Sequence, residues 1–320
     1  MDKKFDVVAL GEVLIDFTYA GTNAEGKKFF EQNPGGAPAN LLTTVSHMGG
    51  TVAMIGKVGA DMHGRFLLDT MKQENICIDA VVKDEAYFTT LAFVGIDANG
   101  EREFSFARKP GADIMLHAKE LDLDMLKNTK IFHVGSLSLT DEPAREATMF
   151  AVKLAKEAGA LISYDPNYRE SLWKSKEAAV REIKTIIPYT DIMKVSDEEG
   201  LLLTGEDDYR KAAKSLLKQG PSIVAVTLGA EGVYVAKKET GVFVPAFTVA
   251  AVDTTGAGDS FWGGFLSQLL KIEKEITHIT EEELLRLGRF GNAVASLCVQ
   301  KRGGIPAIPY EKDVLQVILG

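Results

Sequence analysis

The sequence predicts an α/β fold on a largely parallel sheet, because short β-rich runs alternate with stretches of helical period along nearly the whole 320-residue chain. Two segments break the rhythm. Residues 12–33 and 86–108 read as alternating strands, and the second carries a DANGE turn suited to a hairpin. No repeat, low-complexity tract or long linker divides the pattern, so residues 1–320 read as one domain with a small flap built from those two excursions. Open α/β sheets bind ligands beyond the carboxyl edge of their strands, which is where such a flap would close.

Taken in order, FDVVAL opens the sheet and EVLIDFTYAGTNAEGKKFFEQN makes the first excursion. NPGGAPANLLTTVSHMGG then places Gly35 and Gly36 before a helix with Asn40 in its first turns, and TVAMIGKVG returns as a strand. After the second excursion, KIFHVGSL, ALISYDPN, IVAVTLG and GVYVAK read as strands, while EPAREATMFAVKLAKEAG and SKEAAVREIKTIIP have helical spacing. VFVPAFTVAAVD looks like strands leading into a TTGAGD turn, and SFWGGFLSQLLKI reads as a helix with Phe261, Phe265 and Leu269 on one side.

Composition excludes several classes of function. A net charge of −9 with interspersed signs leaves no basic stripe for nucleic acid. Gly11, Glu12 and Asp16 cut the first apolar run short of a secretory or membrane-spanning segment, so a cytoplasmic protein without a membrane partner is expected. Cys77 and Cys298 lie far apart in apolar surroundings and read as reduced core residues. GGTVAMIGKVG fails as a P-loop, since five residues separate Gly50 from Gly56 and Val58 replaces the hydroxyl that holds Mg²⁺. The absence of HExxH and GxSxG motifs disfavours zinc and serine-hydrolase chemistry.

VDTTGAGDSFWGGF carries a different chemistry. Gly256, Ala257 and Gly258 leave backbone N–H groups uncovered at a helix N-terminus, where the dipole favours an anion such as phosphate. Asp259 faces the same place, and a carboxylate beside an anion hole suits a general base for an attacking hydroxyl. The same residues also suit a plain helix cap. Asp16, Gly35, Gly36 and Asn40 combine carboxylate, amide and bare backbone, a set suited to a polyhydroxylated ligand, although Asp16 and Asn40 also fit a strand end and a turn.

GGAPANLLTTVSHMGGTVAMIGKVGADMHG and VDTTGAGDSFWGGF resemble the two signatures of the PfkB, or ribokinase-like, carbohydrate kinases, with matching spacing over the whole chain. ANGEREFSFARKPGADIML, KIFHVGSLSL, AKEAGALISYDPNYRESLW, KVSDEE, VTLGAEG and KRGGIPAIP resemble the fructokinases among them. The resemblance implies a three-layer α/β/α domain with a β-sheet lid, and transfer of the γ-phosphoryl group of MgATP to the 6-hydroxyl of fructose. It implies Asp259 as the base, the 256–258 backbone as the anion hole, and Asp16, Gly35, Gly36, Asn40 and Arg108 as sugar-side residues. Asp165, Asn167 and Arg169 follow a strand and belong at the carboxyl edge near the phosphates, where Arg169 neutralises charge in transfer or pairs with a neighbouring acid. On the nucleotide side it implies Ser196, Thr227, Gly229, Gly232, Gly258 and Asn292, with Glu199 ordering the water around Mg²⁺; neighbouring Glu198 leaves that assignment open by one position. It further implies a K⁺ or other monovalent cation held by the backbone at Asp253, Thr255 and Gly304, and a possible homodimer through the lid.

Three alternatives stand beside this reading. A 2-keto-3-deoxygluconate kinase shares the fold but needs cationic and aromatic groups for a substrate carboxylate, and Ala107 stands where many relatives have tyrosine. A nucleoside kinase needs an aromatic base slot that the sequence does not show. A noncatalytic sugar-responsive protein requires a damaged site, against which Asp259 and its loop argue.

Overall fold

Strand β1 (Phe5–Leu10) lies at the seam of a nine-stranded sheet whose order is β13-β12-β11-β10-β9-β8-β1-β4-β5. The other members are β4 (Val52–Gly59), β5 (Ile76–Asp84), β8 (Thr129–Val134), β9 (Leu161–Tyr164), β10 (Ile192–Ser196), β11 (Ile223–Thr227), β12 (Gly232–Lys237) and β13 (Thr240–Pro245). The computed structural model describes residues 3–96, 102–238 and 240–319. All neighbours pair in parallel except β11–β12 and β12–β13. Strands buried on both faces explain the near-continuous apolar runs, with FDVVAL, VAMIGKVG and IVAVT almost wholly enclosed.

Helices cover both faces. α1 (Ala37–His47), α2 (Met62–Gln73), α8 (Ala257–Leu269) and α9 (Glu281–Cys298) pack on one side around Val7, Met54, Trp262 and Phe265, with α10 (Glu311–Leu319) against α9. α3 (Leu123–Lys127), α4 (Ala144–Glu157), α5 (Lys176–Ile186), α6 (Asp197–Thr204) and α7 (Tyr209–Leu217) cover the other around Val8, Phe132, Ile162 and Val195. The result is a three-layer α/β/α body. None of the described helices is long and apolar enough to cross a membrane.

A second, four-stranded sheet has the order β3-β2-β6-β7, from β2 (Leu14–Thr22), β3 (Lys28–Gly35), β6 (Leu91–Ile96) and β7 (Arg102–Ala107). β2 pairs antiparallel with β3 and β6 with β7, and the two hairpins join through a parallel β2–β6 ladder at Ile15–Leu91. The DANGE turn lies outside the described residues.

The run after β12 departs from expectation. VFVPAFTVAAVD forms a strand only as far as Pro245, and its later part is irregular chain tied down by bonds that include Ala246 N–H to the Glu231 carbonyl and Val252 and Asp253 N–H to the Val299 carbonyl. Alternating apolar residues supplied the strand pattern, but no neighbour remains to pair with it beyond the sheet edge. Cys298 is buried and Cys77 only partly so, both as free thiols.

Candidate active site

The chain runs from β1 to β4 and β5 on one side, then returns to β8 on the other, so the strand order reverses between β1 and β8. A crevice is expected beyond the carboxyl ends of such strands. A cavity of about 540 Å³ lies there, lined by Glu12 after β1, Leu137 after β8, and Asp16, Thr18, Val94 and Phe106 of the small sheet. A second cavity of about 300 Å³ shares Asn167, Arg169, Lys194 and Ser196 with it and continues to Glu198 and Glu199.

Asp259 occupies the floor. It is the third residue of α8, whose cap is Gly256 with φ 75°, and no side chain caps the helix. The carboxylate is therefore not a cap: its Oδ2 accepts from Asn40 Nδ2 at 2.8 Å and its Oδ1 from Asn167 Nδ2 at 3.5 Å. Burial, reinforced by the nearby charge of Asp165, pushes its pKa up to about 6 against the opposing Asn40 bond. Ala257 N–H turns to the Thr254 carbonyl at 3.2 Å. Among the described residues, Gly256 and Gly258 N–H have no protein acceptor, so two of the three expected anion-hole donors are open.

Gly35 and Gly36 are needed for approach rather than for their turns alone. A Cβ on Gly35 would lie 2.1 Å from Asp16 Oδ2, and one on Gly36, at φ 110°, would meet the Glu12 carbonyl at 2.5 Å. Asp16 thus stands against bare backbone, with its pKa raised to about 7 by burial and by the charges of Asp259 and Asp253, and opposed by Arg169. Asn40 Oδ1 is buried without a hydrogen-bond partner, an acceptor left for a ligand hydroxyl.

Residues that the sequence did not single out complete the site. Lys194 donates to Asp165 Oδ2 at 2.7 Å, both nearly fully buried, between the two cavities. Burial works against the Lys194 ammonium, but Asp165, Glu199 and Asp259 hold its pKa above the usual range. Glu12 accepts the Ala37 N–H at 3.0 Å, and burial lifts its pKa to about 7. Lysine in a hydrophobic strand run was the available signal for Lys194; Glu12 stands at the end of β1, where ligands bind, so its position was the signal.

On the other side Ser196 and Glu199 form a reciprocal capping box at the start of α6, and Glu199 Oε1 also accepts from Tyr168 N–H at 2.7 Å. Glu199 is buried and Glu198 exposed, and both line the smaller cavity. Thr227 lines the larger cavity; Gly229 and Gly232, at φ 54° and 128°, shape the turn into β12 without lining it. Asp253 Oδ1 accepts from Thr255 N–H and hydroxyl, its Oδ2 accepts from Gly303 N–H, and Gly304 packs on Asn40.

Two of the expected site residues line neither of these cavities. Asn292 lies off both cavities, its amide donating at 3.0 Å to the Val244 and Pro245 carbonyls and so pinning the end of β13. Arg108 does not line the sugar end either, because its side chain turns inward onto Asp113. In both cases a buried acceptor within reach captures the donors before a ligand arrives.

Residues 4–311 match the pfkB family of carbohydrate kinases. The chain belongs to that family. It is 42% identical to fructokinase-1 of Zea mays over 98% of this chain and 97% of the relative. The crystal structure of fructokinase with bound ATP from Xylella fastidiosa superimposes with a TM-score of 0.91 at 31% identity, covering 98% of both chains. Fructokinase from Vibrio cholerae O395, in its form with fructose, ADP and calcium ion, gives a TM-score of 0.88 at 29% identity over 98% of both chains. This family of kinases transfers phosphoryl groups to alcohols, and the chain has the ribokinase-like body and lid of those neighbours.

Proposed function

We propose that this kinase transfers the γ-phosphoryl group of MgATP to the 6-hydroxyl of fructose. The carrying observation is Asp259, held by two amides beside the uncovered N–H groups of Gly256 and Gly258 and given a pKa near the working range of a base. Asp16, Asn40 and the Gly35–Gly36 backbone hold sugar hydroxyls and place one of them at Asp259. As Asp259 takes the hydroxyl proton, Gly258 N–H, Lys194 and Arg169 face the charge moving on the transferred oxygens. The three acids Glu12, Asp16 and Asp259 favour a neutral substrate at this end.

The nucleotide reading places ATP across the smaller cavity toward Thr227. Among the described residues no acid cluster is built to chelate a metal, and both Glu199 oxygens already accept backbone N–H bonds. This suits Mg²⁺ that arrives with the phosphates and keeps its waters, and such an ion supplies charge neutralisation. A monovalent cation, K⁺ first, is assigned to the carbonyls near Asp253, Thr255 and Gly304, a loop that Asp253 braces through Thr255 and Gly303. The domain reading keeps residues 1–320 as one unit with the small sheet as lid. The lid face opposite the cavity-lining Asp16, Thr18 and Val94 carries Phe30 and Phe93, packed edge to face and exposed by 41% and 38%, a surface suited to a homodimer.

The test is ATP consumption with Mg²⁺ and K⁺ against fructose, 2-keto-3-deoxygluconate, ribose and adenosine. Preferential turnover of fructose, yielding the 6-phosphate, is expected; preference for another acceptor would overturn the sugar assignment.

A further inference from the structure

One buried ion pair beside the sugar end has no part in the mechanism above. Arg108 follows β7, and its Nε and Nη2 each lie 2.7 Å from Asp113 Oδ2. Nη1 donates to Thr140 Oγ1 and Nη2 to the Leu137 carbonyl, both at 2.9 Å. Asp113 Oδ1 accepts from the Thr90 hydroxyl at 2.5 Å. The two side chains are 4% and 2% exposed, so the pair is dry and its hydrogen bonds are made inside the protein.

The pair is also close to the sugar. Leu137, whose carbonyl Arg108 holds, lines the larger cavity; Phe106 lines both that cavity and an adjoining one of about 690 Å³ in which Arg108 takes part. Both charges reach Glu12 on the cavity wall, where Arg108 favours ionisation and Asp113 opposes it.

We propose that Asp113 is a specificity-determining residue that withholds the Arg108 charge from the sugar site, so that the site accepts uncharged sugars and rejects sugar acids. The inference rests on the proposed reading of this site as a sugar site. A sugar acid entering beside Glu12 and Asp16 has to shed water from its own carboxylate, and at that end the guanidinium able to receive it is occupied by Asp113. Lys194 and Arg169 line both cavities; Lys194 holds Asp165, and Arg169 donates to the Tyr168 carbonyl and already faces Asp16. Removing the Asp113 charge leaves a buried guanidinium just behind the wall, with Glu12 as the acid competing for it.

The experiment compares fructose and 2-keto-3-deoxygluconate on the purified full chain, by titration calorimetry and by kcat/KM. The wild type should bind the sugar acid at least about a hundredfold more weakly than fructose, the scale of an unpaired desolvated charge. Asp113→Asn should shift the ratio toward the acid by about tenfold or more, Asp113→Glu should keep the wild-type ratio, and the Asp113→Asn/Arg108→Gln pair should lose the gain. Equal wild-type affinities, a folded D113N with an unchanged ratio, or a gain that survives loss of Arg108 would each overturn the inference. The wild-type comparison reads it even where D113N does not fold. Absence of fructose binding and turnover in the wild type would instead count against the proposed function.

Discussion

At the scale of single residues, Asp259 is the position on which the chemistry turns. Asp259→Asn should lower kcat by about 10²- to 10⁴-fold while calorimetry still detects sugar binding, because the amide keeps the shape and loses the base. The pH profile should agree: with a folded pKa of about 6, kcat/KM should rise as pH passes through that value, and the residual activity of D259N should lack the step. Asp259 and Asn40 were legible because each closely follows glycines in the chain, and Asp16 because it is a charged residue inside an apolar run. Lys194 and Asp113 were not singled out, and Asp165 was expected at the carboxyl edge without its partner. Their meaning comes from partners that only the folded sheet brings together, as when Lys194 meets Asp165 across adjacent strands. Arg108 was singled out from a family motif, but its Asp113 partner, five residues on, was not.

At the scale of elements, α8 carries the site because its start is strained and its body is anchored. Gly256 sits at φ 75°, and a Cβ there would come within 3.2 Å of Gly304 Cα. Gly256→Ala should therefore destabilise the protein by about 1–2 kcal/mol in urea unfolding and slow transfer, since the N–H groups of the first turn would shift. Below the first turn, Trp262 donates to Ser163 Oγ at 2.9 Å in the middle of the sheet, and Phe265 is fully buried, so the helix has little freedom to yield. The sequence revealed this helix by its apolar spacing, while the irregular chain after β13 misled because alternation survives where no strand partner does. Helix α6 carried a signal that went unused. Ser196 followed three residues later by Glu199 is a capping-box pattern, and that box holds the acid facing the nucleotide cavity.

For the whole molecule, the cavity acids set an unusual pH response. Glu12 and Asp16, with pKa values raised to about 7, and Asp259, raised to about 6, bind protons more tightly folded than unfolded. Rising pH across the interval from about 4 to 7 therefore removes stability contributed by these groups. Buried Glu199, its pKa also raised, adds to them, while buried His133, its pKa lowered to about 4, pulls the other way below about 6.5, and paired acids such as Glu283 do so only at the acid end of the interval. The ligand-free protein should melt at a lower temperature at pH 7.5 than at pH 5.5, and the difference should shrink in a Glu12→Gln variant; a melting temperature that rises over this interval would contradict the assignment. The α/β class was legible because periodicity survives translation into layers, and the two excursions were expected to form one flap, but the parallel β2–β6 ladder that joins them leaves no mark in either segment alone. That ladder also constrains the order of assembly. Ile15 finds Leu91 only after β1, β4 and β5 have carried the chain across the body and back, so the sheet that covers the sugar inherits its register from the body. All four strands of that cover end by Ala107, before β8, α8 and α9 are made, so a nascent chain holds every strand of the cover while much of the core and the Asp259 loop are still to come.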